Sequence, residues 1–229
     1  MRRFVVGDVH GCAKALRGLI ESLELTHDDE IIFLGDYIDR GPDSRNCIDQ
    51  IIELSDQTRV VALRGNHEVM FAGVLLCGLD DSLWLQNGGR ATLSSYGGSL
   101  KKVPQSHREF LMNLLPHYQT DTELFVHAGY DPEHPPEQWD DTVRYWQHLS
   151  APLPGPHQSG RRVFVGHTPQ PMGRVLDGGH LICVDTCCFG GGYLTAMDLN
   201  DGAVIQFDAS GHRRRRLVRD AMAKVLDLF

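Results

Sequence analysis

Five short runs with apolar ends, at residues 4–6, 30–34, 59–63, 122–126 and 161–165, each stop abruptly in a polar loop that contains glycine. Runs of this length bounded by turn residues read as buried strands. After the first, Leu16, Leu19, Ile20 and Leu23 recur at helical spacing. After the second, Cys47, Ile48, Ile51, Ile52 and Leu54 do the same, behind a helix start at Pro42-Asp43-Ser44. Strand, loop and helix in repeated succession predict right-handed crossovers and parallel pairing, with ligands expected at the carboxyl ends of the strands.

The remaining pattern is less regular. From Val69 to about Leu115 it is helical but punctuated by Gly88-Gly89 and Gly97-Gly98 and ended by Pro116; this stretch reads as a helical layer with no chemistry of its own. Prolines crowd residues 131–156, which predicts an exposed loop system without secondary structure. Residues 173–176 with 180–184, and 193–198 with 203–207, read as hairpins, the second turned by Asn200-Asp201-Gly202. Leu217, Met222, Val225 and Leu226 predict a terminal amphipathic helix. Antiparallel strands added to two half-sheets predict an α/β layered sandwich, one domain over residues 1–229.

Composition narrows the function. A formal net charge of -8 argues against a nucleic-acid grip, and Arg213-Arg214-Arg215-Arg216 reads as a solvated lead-in to the last helix. No apolar run approaches the roughly 20 residues of a membrane span. The start, Met1-Arg2-Arg3 leading straight into a strand, does not look like a signal peptide, so a cytoplasmic protein is expected. The six cysteines show no CxxC spacing and read mostly as buried small hydrophobes, with the neighbours Cys187 and Cys188 as a candidate redox-sensitive pair.

The strand ends carry the chemistry. Asp8, His10, Asp36, Asn66, His127 and His167 are two carboxylates, three imidazoles and an amide oxygen, a donor set suited to Mn, Fe, Zn, Co or Ni. With Asp36 shared, they divide into two sites: Asp8, His10 and Asp36, then Asp36, Asn66, His127 and His167. Two divalent ions about 3.5–4 Å apart would activate a shared hydroxide and clamp a phosphoryl group. Arg40 and Arg64 are candidate phosphate donors, His67 the general acid, and Asp39 the carboxylate that fixes its tautomer.

Gly7-Asp8-Val9-His10-Gly11, Gly35-Asp36-Tyr37-Ile38-Asp39-Arg40-Gly41, Gly65-Asn66-His67-Glu68, His127-Ala128-Gly129 and Gly166-His167-Thr168 resemble the signature blocks of calcineurin-like metallophosphoesterases. More closely, they resemble the short bacterial and phage form of the PPP-type serine/threonine protein phosphatases. The resemblance implies an αββα sandwich of two mixed sheets flanked by helices, with a dinuclear centre at the strand ends. It also implies Mn dependence and one-step phosphomonoester hydrolysis. One block departs. Where such relatives carry Trp-Ile-Arg, this chain has Tyr145-Trp146-Gln147-His148, leaving His148 or Arg144 in the arginine's place.

The expected function is therefore hydrolysis of phosphoserine and phosphothreonine, with phosphotyrosine as an extension, in phosphoproteins or phosphopeptides by a monomer. A diadenosine-tetraphosphate hydrolase is the alternative on the same metal centre, with the Trp139–Trp146 loop as its candidate base clamp. A catalytically silent metal-binding module is a third reading; the presence of His67, Arg40 and Arg64 weighs against it.

Overall fold

A computed structural model describes residues 1–215. The expected terminal helix at Leu217, Met222, Val225 and Leu226 lies outside the described residues.

The described residues form two five-stranded mixed sheets. In the first, β1 (Arg3–Val6), β2 (Glu30–Phe33) and β3 (Arg59–Ala62) run parallel, and β9 (Leu194–Asp198) and β10 (Val204–Phe207) extend the β1 edge antiparallel. In the second, β5 (Glu123–Val126), β6 (Arg162–Val165) and β8 (Leu181–Cys183) are parallel, with β4 (His117–Gln119) and β7 (Leu176–Asp177) antiparallel at the two edges. Helices α1 (Ala13–Leu23), α2 (Ser44–Leu54) and α3 (Asn66–Cys77) are the crossover and exit helices of the first sheet.

The two-residue period of a strand decides which side chain joins which layer. Val5, Ile32 and Val61 point between the sheets and meet Phe125, Phe164 and Ile182. Their neighbours Phe4, Val6, Ile31 and Phe33 point outward and pack with Leu16, Leu19, Ile48 and Ile51 of the helices. On the far face, Leu124, Val126, Val163, Val165 and Leu181 are also buried. Strands buried on both faces explain why the runs are apolar without alternation.

Two expectations are corrected. The proline-rich stretch is not devoid of structure: α7 (Asp141–Trp146) forms inside it, begun by Asp140, whose carboxylate accepts from Val143 N at 3.0 Å. Nor is it wholly exposed, because Trp139 and Tyr145 are buried, Trp139 against the outer face of the second sheet. No proline falls between Pro136 and Pro152, which leaves the six residues Asp141–Trp146 free to close a helical turn. Residues 69–115 do supply a helical layer, including α4 (Ser82–Trp84), α5 (Arg90–Ser95) and α6 (Gln105–Met112), but not an inert one.

Cysteines 12, 47, 183 and 188 are buried free thiols, in keeping with their reading as small hydrophobes. Arg214 is anchored rather than solvated: it donates to Gln206 Oε1 at 2.8 Å and lies 4.7 Å from the centre of the Tyr193 ring. Among the described residues, no helix is long and apolar enough to cross a membrane.

Candidate active site

Parallel strands bring the carboxyl ends of β1, β2 and β3 to one edge of the first sheet, and those of β5 and β6 to the matching edge of the second. The five polar loops meet there. Asp8, His10, Asp36, Asn66, His67 and His127 are all buried, with Asp39 and His127 at zero exposure.

The backbone carries strain at this point. Seven non-glycine residues among those described have positive φ, and five of them are His10, Asp36, Asp39, Arg40 and His167. Left-handed backbone is disfavoured for residues with a Cβ and persists where surrounding bonds over-determine it. His10 therefore does not reach the site by simple strand alternation with Asp8; its φ of 45° turns it there.

Glu68 supplies much of that constraint. Its buried carboxylate accepts from the backbone N–H groups of Asp36 (2.8 Å), Tyr37 (2.8 Å) and Gly65 (3.0 Å), and reaches Ile38 N at 3.4 Å. The loop so held presents Ile38 O to His10 Nδ1 at 3.0 Å, while Leu34 O meets His127 Nδ1 at 2.9 Å. A carbonyl demands a donor, so both rings carry their proton on Nδ1 and turn a bare Nε2 into the site.

Asp36 stands at the centre. Its Oδ2 lies 3.5 Å from His10 Nε2 and 4.0 Å from His67 Nε2; its Oδ1 lies 3.5 Å from His127 Nε2 and accepts from His67 N at 3.1 Å. The donor atoms of His10, Asp36 and His67 fall within 4.8 Å of one another, as do those of Asp36, His127 and His167. Asp36 is common to both groups; the first takes in His67, read from sequence as the acid, where the sequence reading placed Asp8. Asp8 is the looser member: it lies 3.9 Å from His10 Nε2 and accepts from His167 N at 3.1 and 3.2 Å.

The donor set fits divalent cations on the structure's own terms. His127 Nε2 faces Asn66 Oδ1 at 3.1 Å, two lone pairs with no proton between them. Burial, then His67 and Arg40, push His10 well below the imidazole range; burial, then His167, do the same to His127. Burial, then Asp185 and Asp36, push Asp8 above the carboxylate range, and burial, then Glu68, push Asp36 up. Neutral imidazoles and crowded buried carboxylates are the state that positive charge relieves.

His67 is paired rather than aimed at the centre through both nitrogens. Its Nδ1 donates to Asp39 Oδ2 at 2.7 Å, and its Nε2 is buried without a partner. Burial pushes His67 down to about 3 and Asp39 up to about 7, the latter against hydrogen bonds from Thr92 and Trp84. Those two residues come from the stretch expected to hold no chemistry, and that expectation is overturned.

The two arginines differ. Arg40 Nη1 donates to His10 Nε2 at 2.8 Å, so its guanidinium is inside the site. Arg64 Nη2 instead donates to Leu114 O at 3.3 Å, and its Nε is buried without a partner. The alternatives at the variant block also separate. Arg144 is spent on its own loop, donating to Pro136 O, Trp139 O and Asp141. His148 stacks on His167 with centroids 4.3 Å apart, at the rim of the site.

The pattern of the calcineurin-like phosphoesterase family matches residues 1–194, through all five loops. The chain belongs to the calcineurin-like phosphoesterases. As in that family, the site is one for a dinuclear divalent centre. This phosphoesterase is 29% identical to serine/threonine-protein phosphatase 1 of Salmonella typhimurium (strain LT2), over 84% of this chain and 89% of the relative. It is 27% identical to an asymmetrical bis(5'-nucleosyl)-tetraphosphatase of Oceanobacillus iheyensis, over 86% and 88%. Its fold matches a solved putative diadenosine tetraphosphatase with a TM-score of 0.66, at 20% identity over 94% and 95% of the two chains.

Of the residues unforeseen in sequence, Glu68 had a local signal, an acid three residues past Gly65 at a helix start. Trp84, Thr92 and the buried Asp185 had none.

Proposed function

We propose that this phosphoesterase is a protein phosphatase that hydrolyses phosphoserine and phosphothreonine, and phosphotyrosine as a further substrate. In this reading it acts as a cytoplasmic monomer, with two manganese ions as cofactor; iron, zinc, cobalt and nickel suit the same donors. The observation that carries it is the buried His67–Asp39 pair with its free Nε2. A serine or threonine alkoxide is a poor leaving group and needs a proton as it departs, whereas the phosphate leaving group of an anhydride does not. The Salmonella relative supports the same substrate class.

Asp8, His10 and Asp36 would hold one ion, and Asp36, Asn66, His127 and His167 the other. When bound, the pair supplies Lewis-acid charge for the phosphoryl oxygens and an acidified water. The chain's own residues do the rest. Arg40, already inside the site, binds phosphoryl oxygens through its guanidinium fork, and Arg64 turns from Leu114 O to add a second donor. His67 delivers an Nε2 proton to the leaving oxygen as imidazolium, the form that the Asp39 carboxylate at Nδ1–H stabilises against the opposing effect of burial, and it takes the replacement proton from solvent. Burial of the strand ends keeps bulk water out.

A dinucleoside-tetraphosphate hydrolase is the second reading. The tetraphosphatase relative favours it, and so does Trp146, 39% exposed with its carbonyl 3.3 Å from His167 Nε2. Trp139, the other candidate base clamp, is buried on the far face of the second sheet and is eliminated. The test compares kcat/KM for a phosphothreonine peptide and diadenosine tetraphosphate with Mn2+ present. Preference for the peptide supports the phosphatase reading; preference for the dinucleotide replaces it and leaves the ligand assignment standing.

A further inference from the structure

From residues 84–92 we infer that Trp84 and Thr92 are positioning residues for the acid–base pair, and that this segment clamps Asp39 and Arg40 in their working conformation. The inference rests on the reading of His67 as proton donor.

Asp39 is held at both ends. Its backbone N–H donates to Thr92 Oγ1 at 2.8 Å and approaches Ser44 Oγ at 3.1 Å. Its Oδ1 accepts from Thr92 Oγ1 at 2.6 Å. Thr92 thus bonds the amide and the carboxylate of the same residue, and Ser44 Oγ, 2.8 Å from Thr92 Oγ1, completes the ring of donors. Trp84 Nε1 lies 3.0 Å from each carboxylate oxygen, which fixes the plane of the group. All four side chains are essentially without solvent exposure, so water does not substitute for a missing donor.

Only one direction is left to the carboxylate: Oδ2 toward His67 Nδ1 at 2.7 Å. With that proton pinned, the nitrogen free for chemistry is Nε2. A carboxylate with this many donors has one orientation, and so has the ring it holds.

The same segment holds the next residue. Arg40 N donates to Gly88 O at 3.2 Å, and Gly88 has φ 107°. A Cβ at Gly88 would lie 2.7 Å from Arg40 N, so only glycine admits the contact. Asp39 and Arg40 have φ of 70° and 66°, two successive left-handed residues that do not hold themselves. Trp84 is in turn seated by Phe71 of α3, stacked 4.9 Å away, so the clamp is keyed to the helix that begins with Asn66 and His67.

The test uses the metal-loaded full chain with Trp84→Phe, Thr92→Val and Thr92→Ser. Trp84→Phe keeps a ring on Phe71 and removes the N–H; the Thr92 pair differs by the hydroxyl. Losing one donor to the charged Asp39 lowers kcat on a phosphoserine peptide by roughly tenfold to a hundredfold, with KM changed by less than about threefold. Nitrophenyl phosphate, whose leaving group needs little protonation, is affected by less than about threefold. Thr92→Ser recovers most of the loss in Thr92→Val. In zinc-loaded protein, the low-field proton resonance of His67 Nδ1–H moves in Trp84→Phe and Thr92→Val and keeps its position in Thr92→Ser.

Equal loss on both substrates, or an unchanged resonance in Thr92→Val, overturns the inference. If Trp84→Phe fails to fold, the Thr92 pair decides. If the wild type turns over no phosphopeptide, the proposed function falls, and the resonance still decides whether the clamp exists.

Discussion

Gly65→Ala isolates the geometry of the shared carboxylate from its chemistry. Gly65 has φ -95° and ψ 173°, which any residue adopts, so the substitution brings no backbone strain. What it brings is one methyl group 2.0 Å from Asp36 Oδ1 and 2.5 Å from Asp36 N. The carboxylate oxygen must withdraw by roughly 1.4 Å to regain van der Waals separation. That movement breaks the bond from His67 N to Asp36 Oδ1 at 3.1 Å and strains those from Asp36 N and Gly65 N to Glu68. Overpacking of this kind costs about 1–3 kcal/mol, and each lost hydrogen bond about 1 kcal/mol more. A total of about 2–4 kcal/mol leaves a domain of ordinary stability folded. Turnover suffers more, because a misplacement of about 1 Å is worth roughly a hundredfold. Gly78→Ala is the contrast: its Cβ would meet nothing within 4 Å, but φ is +66°. It should lose about 1–2 kcal/mol from left-handed strain, with kcat unchanged. Urea unfolding and kcat/KM measure the two quantities. Gly65→Ala within about 1 kcal/mol of wild type, with turnover within about threefold, would refute the reasoning.

Three other outcomes are expected. Asp36→Asn loses both ions by elemental analysis of dialysed protein; two retained stoichiometric ions would remove Asp36 as the shared ligand. His67→Asn keeps its metal content and loses roughly a hundredfold or more in kcat on a phosphoserine peptide, and much less on nitrophenyl phosphate. Equal losses there would dismiss His67 as the acid. Arg2 donates to Asp29 Oδ2 at 2.6 Å and holds that carboxyl well below the usual carboxylate range. A depressed folded pKa gives stability that is present above the unfolded value of about 4 and lost as pH falls below it. Asp29→Asn should therefore lower the urea midpoint at pH 7, and the gap to wild type should close on acidification; a gap that stays constant would contradict this.

Much of the molecule was legible in its residues because the signals are local. The runs at Phe4–Val6, Ile31–Leu34 and Val60–Leu63 are apolar throughout since both faces of those strands pack against other layers, and packing on both faces writes itself into consecutive positions. The residue types at Asp8, His10, Asp36, Asn66, His127 and His167 announced metal chemistry, because parallel strands deliver their loops to one edge whatever the details of packing. The variant block illustrates the limit: sequence left Arg144 and His148 equivalent, and only the fold shows Arg144 tied to Pro136 and Trp139 while His148 lies on His167.

Sequence by itself determined the family, the parallel pairing of the first half and the residue types gathered at the strand ends, since each is encoded in spacing along the chain. Tertiary structure decided how that inventory is held: Glu68 gathering the Asp36 loop, and Trp84 and Thr92 reaching Asp39 from 45 and 53 residues away. A buried donor's partner is chosen by how layers stack, here by Phe71 seating Trp84, and no periodicity in the chain records that choice.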